Sequence, residues 1–184
     1  MAILDEQDGS INESSVSIQP VVVKWGLISA GVGIIFQLIS SLLGMSTMTF
    51  VISFIGMGIG IYIIALAVKA DRDGQLGGYA SFKRVFLVAF AVILLSALIT
   101  QVFNYLYMNF LNPSAADAAL EVSRSMLEKL GMAEEQIEEA MEKAAADLKS
   151  PMNIPKSLIG IGIIGAIIAA IYGAIMKKER PMFN

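Results

Sequence analysis

The chain has 184 residues, a net charge of −3, and neither cysteine nor histidine. This excludes disulfides, thiolate metal sites, cysteine nucleophiles, histidine acid–base catalysis and histidine ligation of haem or zinc within it. At 56% hydrophobic and a mean hydropathy of +0.70, it is too apolar for an ordinary soluble domain, and the apolar residues come in long blocks.

Residues 1–20 are polar and acidic, with Asp5, Glu6, Asp8 and Glu13 and no basic residue. They read as a disordered tail rather than a cleavable signal peptide, which would need a basic start and an early apolar core. A first apolar run spans about residues 25–43, with Lys24 and Trp25 placed to anchor its inner end. The tight, uncharged connection Gly44-Met45-Ser46-Thr47 leads to a second span, about residues 48–68, that carries Gly56-x-x-x-Gly60. The short connection predicts an antiparallel hairpin.

Lys69 to Gly74 leaves the membrane, and Gly77-Gly78-Tyr79-Ala80-Ser81-Phe82-Lys83-Arg84 returns to it. The run from Val85 to Leu111 is uncharged, and as a helix it would be about 40 Å long against roughly 30 Å of bilayer hydrocarbon. A long tilted span is therefore expected, with Gln101–Phe110 reaching the headgroup region. The rest of the chain is arranged around it. Residues 112–156 form the sizeable water-soluble piece, the fourth span covers about residues 158–176, and residues 179–184 make a short polar tail that follows Lys177-Lys178. The expected domain is thus residues 21–178, a four-span all-α membrane bundle.

With four spans, the N-terminus, the second connection and the C-terminus share one side. That side holds eight basic residues (Lys24, Lys69, Arg72, Lys83, Arg84, Lys177, Lys178 and Arg180). The other holds five, diluted by nine carboxylates between residues 112 and 156. The positive-inside bias puts both termini in the cytoplasm, in a cytoplasmic (inner) membrane, and residues 112–156 outside.

The outer segment reads as two helices. Ser114-Ala-Ala-Asp117 has the form of a capping box with Asp for Glu, Gly131 suits a left-handed helix stop, and Ser150-Pro151 ends the second helix. Each helix carries one narrow apolar stripe, which needs its neighbour, the membrane surface or a partner. Leu127 and Ile137 are the expected contact across the turn.

Three features together resemble a bacterial membrane-protein family catalogued as domain of unknown function 4199: the Gly-Gly-x-x-Ser-Phe lead-in to the third span, its Phe-Asn-Tyr-x-Tyr-x-Asn-Phe-x-Asn-Pro exit, and Leu130-Gly-Met-Ala-Glu-Glu-Gln-Ile-Glu138 followed by a glycine-rich last span. The likeness covers roughly residues 21–178. It implies four spans and supplies no functional residues.

Candidate sites follow from the residues alone. Apart from Lys24 at one end, the predicted spans hold no Asp, Glu, Lys or Arg, which weighs against a pump or ion-coupled carrier. Their polar residues are neutral. Ser29, Gly33, Gln37 and Ser41 share one face of the first span; Ser96, Thr100 and Asn104, with Gln101 beside them, share one face of the third. These stripes read first as interhelical hydrogen bonds and second as the lining of a substrate path. In the last span Gly162, Ala166, Ala170 and Ala174 form one small-residue stripe, and Gly165, Ala169 and Gly173 another. With Gly56 and Gly60 they are candidate helix-packing positions, most simply within the chain and alternatively at a seam between copies.

Glu134, Glu135, Glu138, Glu139 and Glu142 crowd the start of the second outer helix. They read as a solvated face, with Glu139 able to pair with Lys143; a straight helix face does not supply the converging oxygens of a calcium site. Lys69, Arg72, Lys83 and Arg84 read as topology determinants or as contacts to anionic headgroups. The chain offers no nucleophile–base pair, no metal constellation, no phosphate-cradling glycine loop and no cofactor motif. It is therefore expected to be non-enzymatic. The first reading is a structural, interaction or accessory subunit of the cytoplasmic membrane. The alternative is a small channel, carrier or lipid-handling protein. Its partners would be the lipid bilayer and either a second copy or another membrane protein, with no nucleic acid.

Overall fold

The computed structural model describes residues 13–43 and 47–179. Asp5, Glu6 and Asp8 of the tail, the Gly44-Met45-Ser46 connection and Arg180-Pro181 lie outside the described residues. The fold is all-helical: α1 (Gln19–Leu43), α2 (Thr47–Gln75), α3 (Phe82–Leu106), a π-helical turn (Tyr107–Leu111), α4 (Ser114–Lys129), α5 (Glu134–Lys149) and α6 (Asn153–Met176). Four segments are long and apolar enough to cross a bilayer: α1, α2 from Val51, α3 with its π-turn, and α6. Each exceeds the roughly 20 residues a crossing needs.

The helices extend past the apolar runs. The α2 helix continues through Asp71-Arg72-Asp73 to Gln75 although Asp and Gly are poor helix formers; Asp71 is held there by its two hydrogen bonds from Arg84. The α6 helix starts at Asn153, ahead of Leu158, with Pro155 in its first turn. There the missing N–H is one that no helix could satisfy internally.

The α3 helix is the centre of the bundle and packs against α1, α2 and α6. Val85, Val88, Ala89 and Val92 on it are buried, together with Val21 of α1, Ile64, Ala67 and Val68 of α2, and Ala169 of α6. These valines and alanines let four helices converge on one axis. The core is confined to the half of the bundle nearest the described ends of the chain; toward the α4–α5 side the spans loosen, and the polar stripes lie there. The outward faces are isoleucine- and leucine-rich, as in Ile163, Ile167 and Ile171 of α6, which suits contact with lipid.

Glycines set the closest approaches. A Cβ at Gly165 would come within 2.9 Å of Ile93, and one at Gly173 within 2.7 Å of Phe82. The stripe Gly165–Ala169–Gly173 is therefore the seam between α6 and α3, with all three residues buried. Ala166 and Ala170 flank it, half-buried.

At the end nearest the chain termini, Gly77 and Gly78 take φ of 65° and 91°, values that side-chain-bearing residues rarely adopt. They turn the chain from α2 into α3. Just beyond them Ala80 and Lys178 exchange backbone hydrogen bonds of 3.0 and 2.9 Å, fastening this turn to the segment after α6. At the other end Gly131, φ 74°, stops α4. Its N–H donates to the Glu128 carbonyl and that of Met132 to the Leu127 carbonyl, a Schellman closure. The capping box at Ser114 does not form. The cap position is Pro113, and Ser114 Oγ instead donates to Asn112 Oδ1. The α5 helix packs on α4 and buries Ile137, while Asn109 Nδ2 donates to the Leu148 carbonyl and so ties α5 to the π-turn.

Candidate functional site

The polar stripes of α1 and α3 meet at two points. Gln37 Nε2 donates to Asn104 Oδ1 at 2.8 Å, and the hydroxyls of Ser41 and Tyr107 bond at 2.8 Å. Asn112 Nδ2 adds a third link, donating to the Tyr107 hydroxyl at 3.0 Å. The π-turn explains the last contact: its extra residue per turn re-aims Tyr107 relative to the end of a regular helix. Ser96 is spent within its own helix, its hydroxyl donating to the Ile93 carbonyl.

Ser29, Thr100 and Gln101 behave differently. Among the described residues their side chains have no hydrogen-bond partner. All three face a cavity of about 300 Å³ lined by every one of the four spans: Gly33 from α1, Gly56 and Gly60 from α2, Ser96 and Ala97 from α3, Ile161 from α6. The cavity exists because the residues around it are small. Gly60 has no atom within 4 Å of where a Cβ would sit. Gly56, one turn earlier, is a true contact, its Cβ position 3.0 Å from the Phe36 ring. Gly162, in α6, approaches Leu94 only at 3.8 Å. The cavity wall contains no ionisable side chain, so its chemistry is limited to accommodating apolar volume beside three neutral hydrogen-bonding groups.

A second groove, about 450 Å³, lies where α1 ends, between Gln37 and Ser41, the π-turn and the start of α4. It adjoins the α4–α5 helix pair. In that pair Arg124 donates to Glu128 at 3.1 Å and to Glu134 on α5. The Glu128 hydrogen bond, with Glu134 beside it, holds the Arg124 guanidinium above its usual pKa range. Glu135, Glu138, Glu139 and Glu142 are exposed, and among the described residues the ion pairs here are Arg124 with Glu128 and Glu134 and Lys156 with Asp147. Among the described residues no three carboxylates group as metal ligands would.

A charged cluster that the sequence reading did not find sits at the opposite end. Arg84 lies buried rather than facing headgroups. Its Nε and Nη2 donate to both oxygens of Asp71 at 2.8 and 2.7 Å, and its Nη1 to the carbonyls of Glu13 and Val16. The Glu13 carboxylate accepts from the backbone N–H and hydroxyl of Ser81, which caps α3 by accepting from Arg84 N–H. Arg72 closes the cluster against α6 by donating to the Met176 carbonyl at 3.2 Å. Four segments are thus pinned by one arginine and its neighbours. The available signal was the placement of Asp71 and Arg84 on either side of a Gly-Gly turn; nothing in the sequence marked Glu13.

Residues 24–178 match the model of a family described as "Protein of unknown function (DUF4199)". No curated protein matches the chain, and no solved structure does.

Proposed function

Because the chain belongs to the DUF4199 family, whose description assigns no activity, we propose a function from its interior: a non-enzymatic, multi-pass protein that holds the apolar chain of a lipid or similar amphiphile within the membrane. One observation carries this reading, the 300 Å³ cavity lined by all four spans. The space is a recess open at the surface of the bundle, wide enough for an alkyl chain, and larger side chains at Gly33, Gly60 or Ala97 would close it. The unpartnered hydroxyl and amide groups of Ser29, Thr100 and Gln101 suit an occupant with some polar character, because such groups are costly to leave alone in hydrocarbon. The uncharged wall supports a neutral occupant over an ion. Of the two readings the sequence allows, the cavity favours lipid handling over a purely structural role.

The basic residues near both termini support an orientation with those ends in the cytoplasm and the α4–α5 pair outside. Val122, Met126 and Leu130, exposed along one face of α4, favour an added role for that helix in lying on the membrane surface or against a membrane partner. The test is the lipid content of detergent-purified protein, with the cavity open and with it filled from Gly60.

A further inference from the structure

The second groove adds a headgroup site to this reading, and the inference rests on it. We propose that the groove between the end of α1, the π-turn and α4 binds the headgroup of a lipid from the leaflet on the α4–α5 side, and that this headgroup brings hydrogen-bond donors and no net negative charge.

Position comes first. Leu42, 88% exposed at the end of α1, and Phe110 and Leu111, 70% and 69% exposed in the π-turn, are large apolar side chains that belong in hydrocarbon. The groove opens at their level, so its mouth lies at the hydrocarbon edge, where headgroups begin.

The groove also lies in line with the cavity. Thr100 of α3, in the recess, and Tyr107, the first residue of the π-turn, in the groove, are seven residues apart, about 10 Å along the helix axis. Half of a bilayer's hydrocarbon is about 15 Å. A lipid with its head against Tyr107 can therefore reach the level of Thr100 with its chain, passing outside the Gln37–Asn104 hydrogen bond that closes the α1–α3 seam between them.

The chemistry of the groove then selects the head. Tyr107 is hydrogen-bonded to both Ser41 and Asn112, which holds these three polar side chains together in the groove wall. Ser40 lines the same wall. The one carboxylate in the lining is Glu121 of α4, and no ion pair holds it among the described residues. Lysine and arginine are absent from the wall, so a net anionic head would meet a carboxylate and no counter-charge. An amine or a sugar hydroxyl donates to those acceptors and satisfies Glu121.

The test uses the full chain in nanodiscs of phosphatidylcholine doped separately with phosphatidylethanolamine, a monoglucosyl diacylglycerol or phosphatidylglycerol, with bound lipid read by native mass spectrometry. The amine and sugar arms separate the two donor chemistries. The expected result is retention of one or both donor lipids at least about tenfold over phosphatidylglycerol. Glu121→Gln, a surface change that leaves packing alone, should reduce the amine lipid's advantage by about that factor, and Tyr107→Phe should reduce retention of either donor lipid. Equal or preferential retention of phosphatidylglycerol overturns the headgroup assignment while leaving the chain cavity standing. Retention of no lipid in any arm overturns both.

Discussion

Arg84 and Asp71 face each other across the Gly77-Gly78 turn as a two-pronged ion pair, with side chains only 7% and 2% exposed. The remaining guanidinium nitrogen reaches back to the carbonyls of Glu13 and Val16, so neither charge is left without hydrogen bonds. The pair therefore acts as a clasp on the ends of α2 and α3 and on the segment ahead of α1.

Removing one partner leaves the other charge buried and unpaired. Arg84→Ala or Asp71→Ala should destabilise the bundle by about 3–5 kcal/mol, seen as a large fall in the thermal midpoint in detergent. The double change Arg84→Met with Asp71→Leu should cost clearly less than either single one. Additive losses would show that the two residues act independently.

The seam between α6 and α3 should be sensitive at Gly165 and Ala169. Leucine at either position adds volume where Ile93 or a fully buried wall already stands, for a loss of about 1–3 kcal/mol. Leucine at Ala166 or Ala170, which are only half-buried, should cost less. A reversed order would mean that α6 presents its other stripe to the bundle.

Ile137 is 1% exposed and anchors α5 against α4. Ile137→Asp should open the helix pair to added protease while the four spans remain intact. Glu138→Gln with Glu139→Gln should leave the pair almost unchanged, because both carboxylates are exposed and their mutual repulsion is lost. If calcium stabilised wild type and not this variant, the acidic face would be a cation site after all.

Orientation can be read by labelling single cysteines in intact cells. Cysteine at Glu135 should react with an impermeant reagent, and cysteine at Lys177 should not. Both positions are exposed, so access to the residue is not limiting. Labelling at position 177 alone would invert the proposed topology.

The four spans were legible because a bilayer imposes a length and an apolarity that few other environments require. Their ends were less so. Asp71-Arg72-Asp73 read as a departure from the membrane, whereas the helix simply runs on into the turn. The polar stripes were visible from spacing, and Gln37 and Asn104 do bond. Whether Thr100 and Gln101 would bond likewise or border a space could not be read from spacing, since that depends on how far apart small residues on other helices hold the backbones. Arg84 was misjudged for a related reason: a basic residue at a helix end looks the same in sequence whether it meets headgroups or a carboxylate thirteen residues away across a tight turn.

The central claim, an amphiphile-holding cavity, is tested most directly at Gly60. Nothing lies within 4 Å of a Cβ there, so Gly60→Leu starts its side chain in open space on the recess wall, and leucine also favours the helix over glycine. Lipid retained after purification in mild detergent is then measured by native mass spectrometry, with thermal stability as the control. Wild type should carry bound lipid, and Gly60→Leu should lose most of it at equal or higher stability. Gly56→Leu, which meets Phe36, should lose stability instead. Undiminished lipid on a stable Gly60→Leu protein, or wild type that carries none, would contradict the account.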